Sequence, residues 1–169
     1  MSPDSSQDSS QAWTEGGNAQ ELTPLFHGAR NQCFGCGQAN PVGLRLEFSK
    51  SAEGAVAVDT VVSNSYEGPP GCLHGGIIAT LLDEAMSKAN RARGITAMTR
   101  QMRVEYLRPV PSGAPIRIGG RVTRSEGRKH WTEAEIQSAD GAVLAHATGL
   151  FIQVLHPSPE IKAKPESSL

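Results

Sequence analysis

The sequence lacks any apolar run long enough to cross a lipid bilayer, for which a helix needs about 20 residues. Its first segment, which opens Met1-Ser2-Pro3-Asp4, lacks the basic and apolar regions of a secretory signal and the arginines of a mitochondrial transit peptide. Net charge is nearly absent, −1 at pH 7, so bulk electrostatics favours neither nucleic acid nor an anionic membrane. These absences predict a cytoplasmic protein without a nucleic-acid or membrane partner.

Cysteine is scarce and odd in number, with three residues in 169. The pair Cys33-x-x-Cys36 has no second pair to complete a four-sulfur zinc site, so a metal would have to recruit Cys72 or His27 from another segment. The pair also does not open a helix after a strand, as a thioredoxin-type redox motif does. Reduced thiols are the favoured interpretation and zinc is the minor alternative, so we predict no metal site.

Composition predicts one globular domain between two tails. The chain is 38% hydrophobic and 20% charged, which is typical of globular proteins. Residues 1–21 are rich in Ser, Gln, Asp and Gly, and residues 156–169 are rich in Lys, Pro, Glu and Ser, so both segments are expected to be disordered. The folded domain is therefore expected to span residues 22–155.

Alternation of apolar and polar residues predicts strands over most of this domain. Residues 44–48 and 55–61 are expected to form a hairpin around Glu53-Gly54. After Gly94 the pattern predicts four more antiparallel strands, separated by glycine-containing turns at residues 111–113, 126–128 and 139–141.

Only one long helix is predicted, from Gly76 to about Arg91. Its apolar stripe consists of Ile78, Leu81, Leu82, Ala85 and Ala89. No second helix is available to cover the strands, so the expected fold class is α+β, with an antiparallel sheet wrapped around one long central helix.

Asp83 is a carboxylate inside this otherwise apolar helix. If buried, it would have a raised pKa and would be a candidate general base or nucleophile. The alternative is a solvated helix face, formed by Thr80, Asp83, Glu84, Ser87 and Lys88. The helix start, His74-Gly75-Gly76, would bring unpaired backbone N–H groups and the positive end of the helix dipole close to a ligand. The combination suggests an enzyme active site.

Several motifs at fixed spacing carry a resemblance to a known family. They are Gly68-Pro69-Pro70-Gly71, His74-Gly75-Gly76 followed by Asp83, Thr99, the strand end Tyr106-Leu107-Arg108-Pro109, and the turn Glu126-Gly127-Arg128-Lys129. Over roughly residues 31–154 the sequence resembles the hotdog-fold acyl-CoA thioesterases of the PaaI-like superfamily, and within it the mammalian mitochondrial long-chain type.

This resemblance implies hydrolysis of an acyl-CoA thioester to a carboxylic acid and coenzyme A, with no metal or redox cofactor. Asp83 would activate water or attack the thioester, the N–H of Gly75 would polarise its carbonyl, and Thr99 would position the water. His74 would act at the helix start, either in catalysis or only in ordering the loop. Coenzyme A would be held by Gly76, Arg108, Pro109, Gly127, Arg128 and Lys129. The resemblance also implies a homodimer or a dimer of dimers.

Some points stay open at the level of sequence. Gly68 stands where some relatives have an asparagine or glutamine that assists at the carbonyl, and Glu84 is a second carboxylate beside Asp83. Strict alternation places Thr99 on the face opposite Met102, so its reach into the site depends on the resemblance alone. A hotdog hydratase or dehydratase and a non-catalytic acyl-CoA sensor are the alternative functions.

Overall fold

A computed structural model describes residues 22–25, 28 and 30–154 of the chain. The two predicted tails and His27 lie outside these residues. Within the described part, no helix has the length and apolar character needed to cross a membrane.

In the described part of the chain, seven strands form one sheet and a single long helix packs against it. The elements are β1 (Thr23–Pro24), β2 (Ser49–Lys50), β3 (Val56–Val61), α1 (Gly75–Ala92), β4 (Ala97–Tyr106), β5 (Pro115–Glu126), β6 (Lys129–Ser138) and β7 (Val143–Gln153). The strand order is β1-β2-β3-β5-β6-β7-β4, and every neighbouring pair is antiparallel. The predicted α+β architecture is therefore confirmed, including the four strands that follow the helix.

Helix α1 lies close to the sheet because its inner face is apolar and a glycine faces it. All five residues of the predicted apolar stripe are buried, and Leu81, Leu82 and Ala85 are completely inaccessible to solvent. A Cβ at Gly120 of β5 would lie 2.6 Å from the backbone oxygen of Ala85. The missing side chain thus allows helix and strand backbones to come into contact.

The predicted strand over residues 44–48 is wrong, although the hairpin itself exists. Pairing between β2 and β3 begins only at Ser49, and β2 has two residues. The N–H groups of Leu44 and Leu46 instead donate to the carbonyl oxygens of Phe34 and Gly35, at 2.7 and 2.9 Å. A preceding loop therefore takes the hydrogen bonds that a neighbouring strand would have used.

Candidate active site

The start of helix α1 leaves one backbone donor without a partner. His74 is the N-cap, and its Nδ1 accepts a hydrogen bond from the N–H of Gly76 at 3.0 Å. The N–H of Gly75 has no hydrogen-bond acceptor among the described residues. Because the helix dipole is positive at this end, the free N–H of Gly75 is suited to an oxygen that gains negative charge.

A cavity of about 380 Å³ lies beside this helix start. Gly75, Arg108 and Pro109 line it together with Tyr106, whose hydroxyl donates to the backbone oxygen of Gly75 at 3.1 Å. The Arg108 guanidinium donates to the backbone oxygen of Val143 at 2.5 Å. The structure thus brings the predicted strand-end residues next to the predicted oxyanion donor.

Asp83 lies two turns further along the helix and contacts Thr99 on β4. The Thr99 hydroxyl donates to Asp83 Oδ1 at 2.7 Å. Burial raises the pKa of Asp83 above its usual value, the Thr99 hydrogen bond opposes this rise, and the charge of Glu84 adds to it. The carboxylate is half-buried and therefore still accessible to a small molecule such as water.

The strand phase predicted for Thr99 is wrong because β4 contains a bulge. Thr99 pairs with Phe151 and Gln101 pairs with Leu150, so one residue between them is extra. One extra residue reverses the alternation of side chains along a strand. Thr99 therefore lies on the same face as Met102, toward helix α1.

The alternative of a solvated helix face around Asp83 is wrong for Glu84 and Lys88. Glu84 and Lys88 are only 8% and 7% exposed, and they form an ion pair with 2.7 Å between Glu84 Oε1 and Lys88 Nζ. Neighbouring residues on a helix point about 100° apart, so Glu84 is directed away from Thr99. Of the two adjacent carboxylates, Asp83 is the one that faces β4.

The cysteine loop covers this second carboxylate. The Cys33 thiol donates to Glu84 Oε2 at 3.6 Å, and Lys88 Nζ donates to Cys36 Sγ at 2.9 Å. Burial raises the pKa of the Cys36 thiol to about 12. The sequence predicts Cys72 or His27 as the partner of a metal-binding cysteine pair. The structure instead brings Glu84 next to Cys33 and Cys36. Sequence spacing could not associate Glu84 with this loop.

The remaining predicted residues are exposed: Gly127 and Arg128 form the turn between β5 and β6, and Lys129 is the first residue of β6. Arg128 Nε donates to the backbone oxygen of Gln153, which pairs with Ala97 at the start of β4. The turn therefore lies near the end of β4 that carries Thr99. Arg108 follows the opposite end of the same strand.

The predicted site residues thus form two groups within one chain. His74, Gly75, Gly76, Arg108 and Pro109 surround the helix start, whereas Asp83, Thr99 and the turn lie toward the other end of β4. Gly75 and Asp83 are eight residues apart on α1, or about 12 Å along its axis. One chain cannot place both against a single carbonyl group.

One long helix packed against a seven-stranded antiparallel sheet is the architecture of a hotdog fold. A family model described as Thioesterase superfamily matches residues 70–145, which include the helix, Asp83 and Thr99. Over this region the chain is similar to the thioesterase superfamily, which its motifs also indicated.

Two relatives with similar sequences are named as acyl-coenzyme A thioesterases. The chain is 36% identical over 125 residues to the Acyl-coenzyme A thioesterase THEM4 of Bos taurus, covering 73% of this chain and 52% of the relative. It is 39% identical over 89 residues to THEM4 of Xenopus laevis, covering 52% and 40%. The chain therefore spans about half the length of the curated relatives it matches.

Two solved structures share the fold. The crystal structure of a thioesterase superfamily protein superposes with a TM-score of 0.69 at 33% identity, covering 72% of this chain and 60% of that one. A hypothetical thioesterase protein from Streptococcus pneumoniae TIGR4, crystallised with coenzyme A, superposes with a TM-score of 0.60 at 25% identity, covering 64% and 87%.

Proposed function

We propose that this protein hydrolyses acyl-CoA thioesters to a free carboxylic acid and coenzyme A. The observation that carries the proposal is the hydrogen bond of 2.7 Å between Thr99 and Asp83, on a helix whose first N–H is unpaired. Relatives named as acyl-coenzyme A thioesterases and a similar fold crystallised with coenzyme A support the substrate class.

The proposed mechanism uses the Asp83 oxygen that Thr99 does not contact and the free N–H of Gly75. The Thr99 hydroxyl holds Asp83 Oδ1, so Oδ2 can accept a proton from a water molecule whose oxygen attacks the thioester carbon. The carbonyl oxygen becomes negative and is stabilised by the N–H of Gly75, which contributes about 3 kcal/mol in comparable sites. Collapse of this intermediate breaks the carbon–sulfur bond, and the proton passes from Asp83 to the departing thiolate. Direct attack by Asp83 on the thioester is the alternative route.

The separation of Gly75 from Asp83 supports a site shared between two chains. A two-fold dimer with antiparallel neighbouring helices would bring Gly75 of one chain near Asp83 of the other, twice per dimer. Strand β4 forms one end of the sheet, and its side chains Met98 and Tyr106 are 65% and 55% exposed. An exposed edge strand of this kind favours pairing with a second copy. We therefore include a homodimer, or a dimer of such dimers, in the proposal.

Coenzyme A would be held by the basic groups around this shared site. Arg108 lines the cavity at the helix start, and Arg128 and Lys129 are exposed on the turn. Guanidinium and ammonium groups are suited to the phosphates of a nucleotide. The chemistry itself requires no metal or redox cofactor. Three free thiols fit the reducing cytoplasm that we propose as the location.

Release of free thiol from a panel of acyl-CoAs, from short to long and aromatic acyl groups, tests the proposal. Parallel binding measurements with a thioether analogue, which cannot be cleaved, separate hydrolysis from a sensor function that the same pocket would allow. We expect thiol release from at least one member of the panel. Binding of the analogue without release of thiol from any member would contradict the proposed activity.

A further inference from the structure

A largely buried cluster of sulfur and carboxylate groups lies on the side of helix α1 that faces away from Thr99. We define the cysteine–glutamate cluster as Cys33, Cys36 and Glu84. Each offers one ligand atom, and these atoms all lie within 4.8 Å of one another. Cys36 and Glu84 are buried, at 2% and 8% exposure. The proposed hydrolysis uses none of these groups.

Two glycines shape the loop so that it closes over Glu84. A Cβ on Gly35 would collide with the Glu84 carboxylate, and a Cβ on Gly37 would collide with the backbone of Asn31 and Cys33. The turn is closed by a hydrogen bond of 2.8 Å from the N–H of Gly37 to the Cys33 carbonyl oxygen. This close approach brings both sulfur atoms to the carboxylate.

The surroundings resemble the outer shell of a metal–thiolate site. Cys36 Sγ accepts hydrogen bonds from Lys88 Nζ at 2.9 Å and from Asn31 Nδ2 at 3.3 Å. Donors of this kind orient and stabilise a coordinating thiolate. Glu84 Oε1 is buried and contacts the Lys88 ammonium at 2.7 Å. A carboxylate has about four lone-pair sites, so Glu84 can also coordinate a metal ion.

The charges of the cluster, once both thiols are deprotonated, match those of a divalent cation. Two thiolates and one carboxylate carry three negative charges, and the Lys88 ammonium supplies one positive charge. A divalent cation would bring the sum to zero, and its binding would release the two thiol protons to solvent. Two thiolates among the ligands favour zinc over magnesium or calcium, which prefer oxygen.

We propose that Cys33 Sγ, Cys36 Sγ and one carboxylate oxygen of Glu84 bind a zinc ion, with water in the fourth position. A cavity of about 290 Å³ reaches Cys36 and gives an entry path. The ion would join the cysteine loop to helix α1 at the residue next to Asp83. It would act on the stability of the domain and not on the thioester, so the proposal does not depend on the proposed activity.

The first test measures metal in the full chain, purified under reducing conditions with zinc supplied and without a histidine tag. We expect about one zinc ion per chain, as three protein ligands and one water predict. Cobalt(II) in place of zinc should give thiolate-to-metal charge-transfer absorption. Cys33→Ser and Cys36→Ser should lose both signals, whereas Cys72→Ser, a matched change outside the cluster, should keep them.

The second test needs no substitution, so it is independent of whether the variants fold. A strong chelator should lower the Tm of the wild-type protein, and added zinc should restore it, because an ion that binds only the folded chain stabilises that chain. Three results would overturn the proposal: a reduced protein that binds no zinc, zinc that the Cys33→Ser and Cys36→Ser variants retain, or zinc that is lost with Cys72→Ser.

Discussion

At the scale of single residues, Asp83 and Glu84 show how adjacent carboxylates acquire different chemistry. Asp83 accepts a hydrogen bond from Thr99 and is half-buried, whereas Glu84 is paired with Lys88 beneath the cysteine loop. The helix turns by about 100° per residue, so the two side chains lie against different neighbours. Their substitution should therefore have different consequences.

Asp83→Asn should lower kcat by at least about 100-fold, because the amide cannot accept the proton from water. Affinity for the thioether analogue should stay within a few-fold of the wild-type value.

Glu84→Gln should instead lower the Tm, since it leaves the Lys88 charge buried without its partner, and should affect turnover per folded molecule far less. Asp59→Asn, the same change at an exposed position, is the control. If Glu84→Gln were inactive and Asp83→Asn active, the assignment would be wrong.

Thr99→Val should lower kcat by about 10-fold or more, since a hydrogen bond to a charged group contributes about 1.5–3 kcal/mol. Thr99→Ser keeps the hydroxyl and should retain most of the activity. Steady-state kinetics of both variants with one acyl-CoA checks this. Equal losses in the valine and serine variants would show that the hydroxyl is not the group that matters.

At the scale of elements, glycines and turns determine how the secondary structure assembles. Gly120 lets helix α1 touch β5, and the turn at Gly127, with φ of 55°, connects β5 to β6 and exposes two basic side chains. The first feature concerns stability and the second concerns the proposed binding of coenzyme A, so each has its own test.

Gly120→Ala should destabilise the domain by about 1–3 kcal/mol, because its Cβ would overlap the backbone of Ala85 and force the helix outward. Chemical denaturation measures the change. Gly28→Ala is a matched control, since an added Cβ there has no neighbour within 4 Å among the described residues. An unchanged free energy of unfolding in Gly120→Ala would mean that the helix can move without loss.

Arg128→Glu and Lys129→Glu should raise KM for acyl-CoA with a smaller effect on kcat. The increase should be larger at low salt, because salt screens exposed phosphate contacts. Arg117→Glu reverses the charge of another exposed arginine at the opposite end of β5 and serves as the control. The turn would be excluded from the coenzyme A site if KM were unchanged in both variants.

At the scale of the whole molecule, the separation of the two groups of site residues is the basis of the proposed site shared between two chains. The helix start offers the free N–H of Gly75, and the middle of the helix offers Asp83, about 12 Å away. Gly75 occupies the first helical position, where proline is tolerated and removes the N–H group. His74 already has the extended conformation that precedes proline, with φ of −62° and ψ of 139°.

Gly75→Pro should therefore fold and lose activity, whereas Gly75→Ala keeps the N–H and should retain activity. Mixing and refolding Gly75→Pro with Asp83→Ala tests the shared site. In each mixed dimer one site collects both lesions and the other is intact, so random pairing should restore about a quarter of wild-type activity. Each variant refolded alone should stay inactive. Mixed dimers that form but show no activity would contradict the model.

The sequence by itself determined the order of elements and the inner face of the helix. Apolar residues at helical spacing predicted α1 to within one residue at each end, and alternation with glycine turns predicted β4 to β7. These features depend on local periodicity, which a single chain segment carries within itself. The motifs also predicted the similarity to the thioesterase superfamily that residues 70–145 have.

Only the tertiary structure decided which side chains meet. The bulge after Thr99 reversed the strand phase, because pairing with β7 accommodates an extra residue that no alternation pattern reveals. Leu44 and Leu46 bond to a preceding loop. That loop covers Glu84 and Lys88, which helical spacing alone would leave in solvent. Such contacts join segments far apart in the chain, so their energies depend on packing between elements and not on the local sequence of either one.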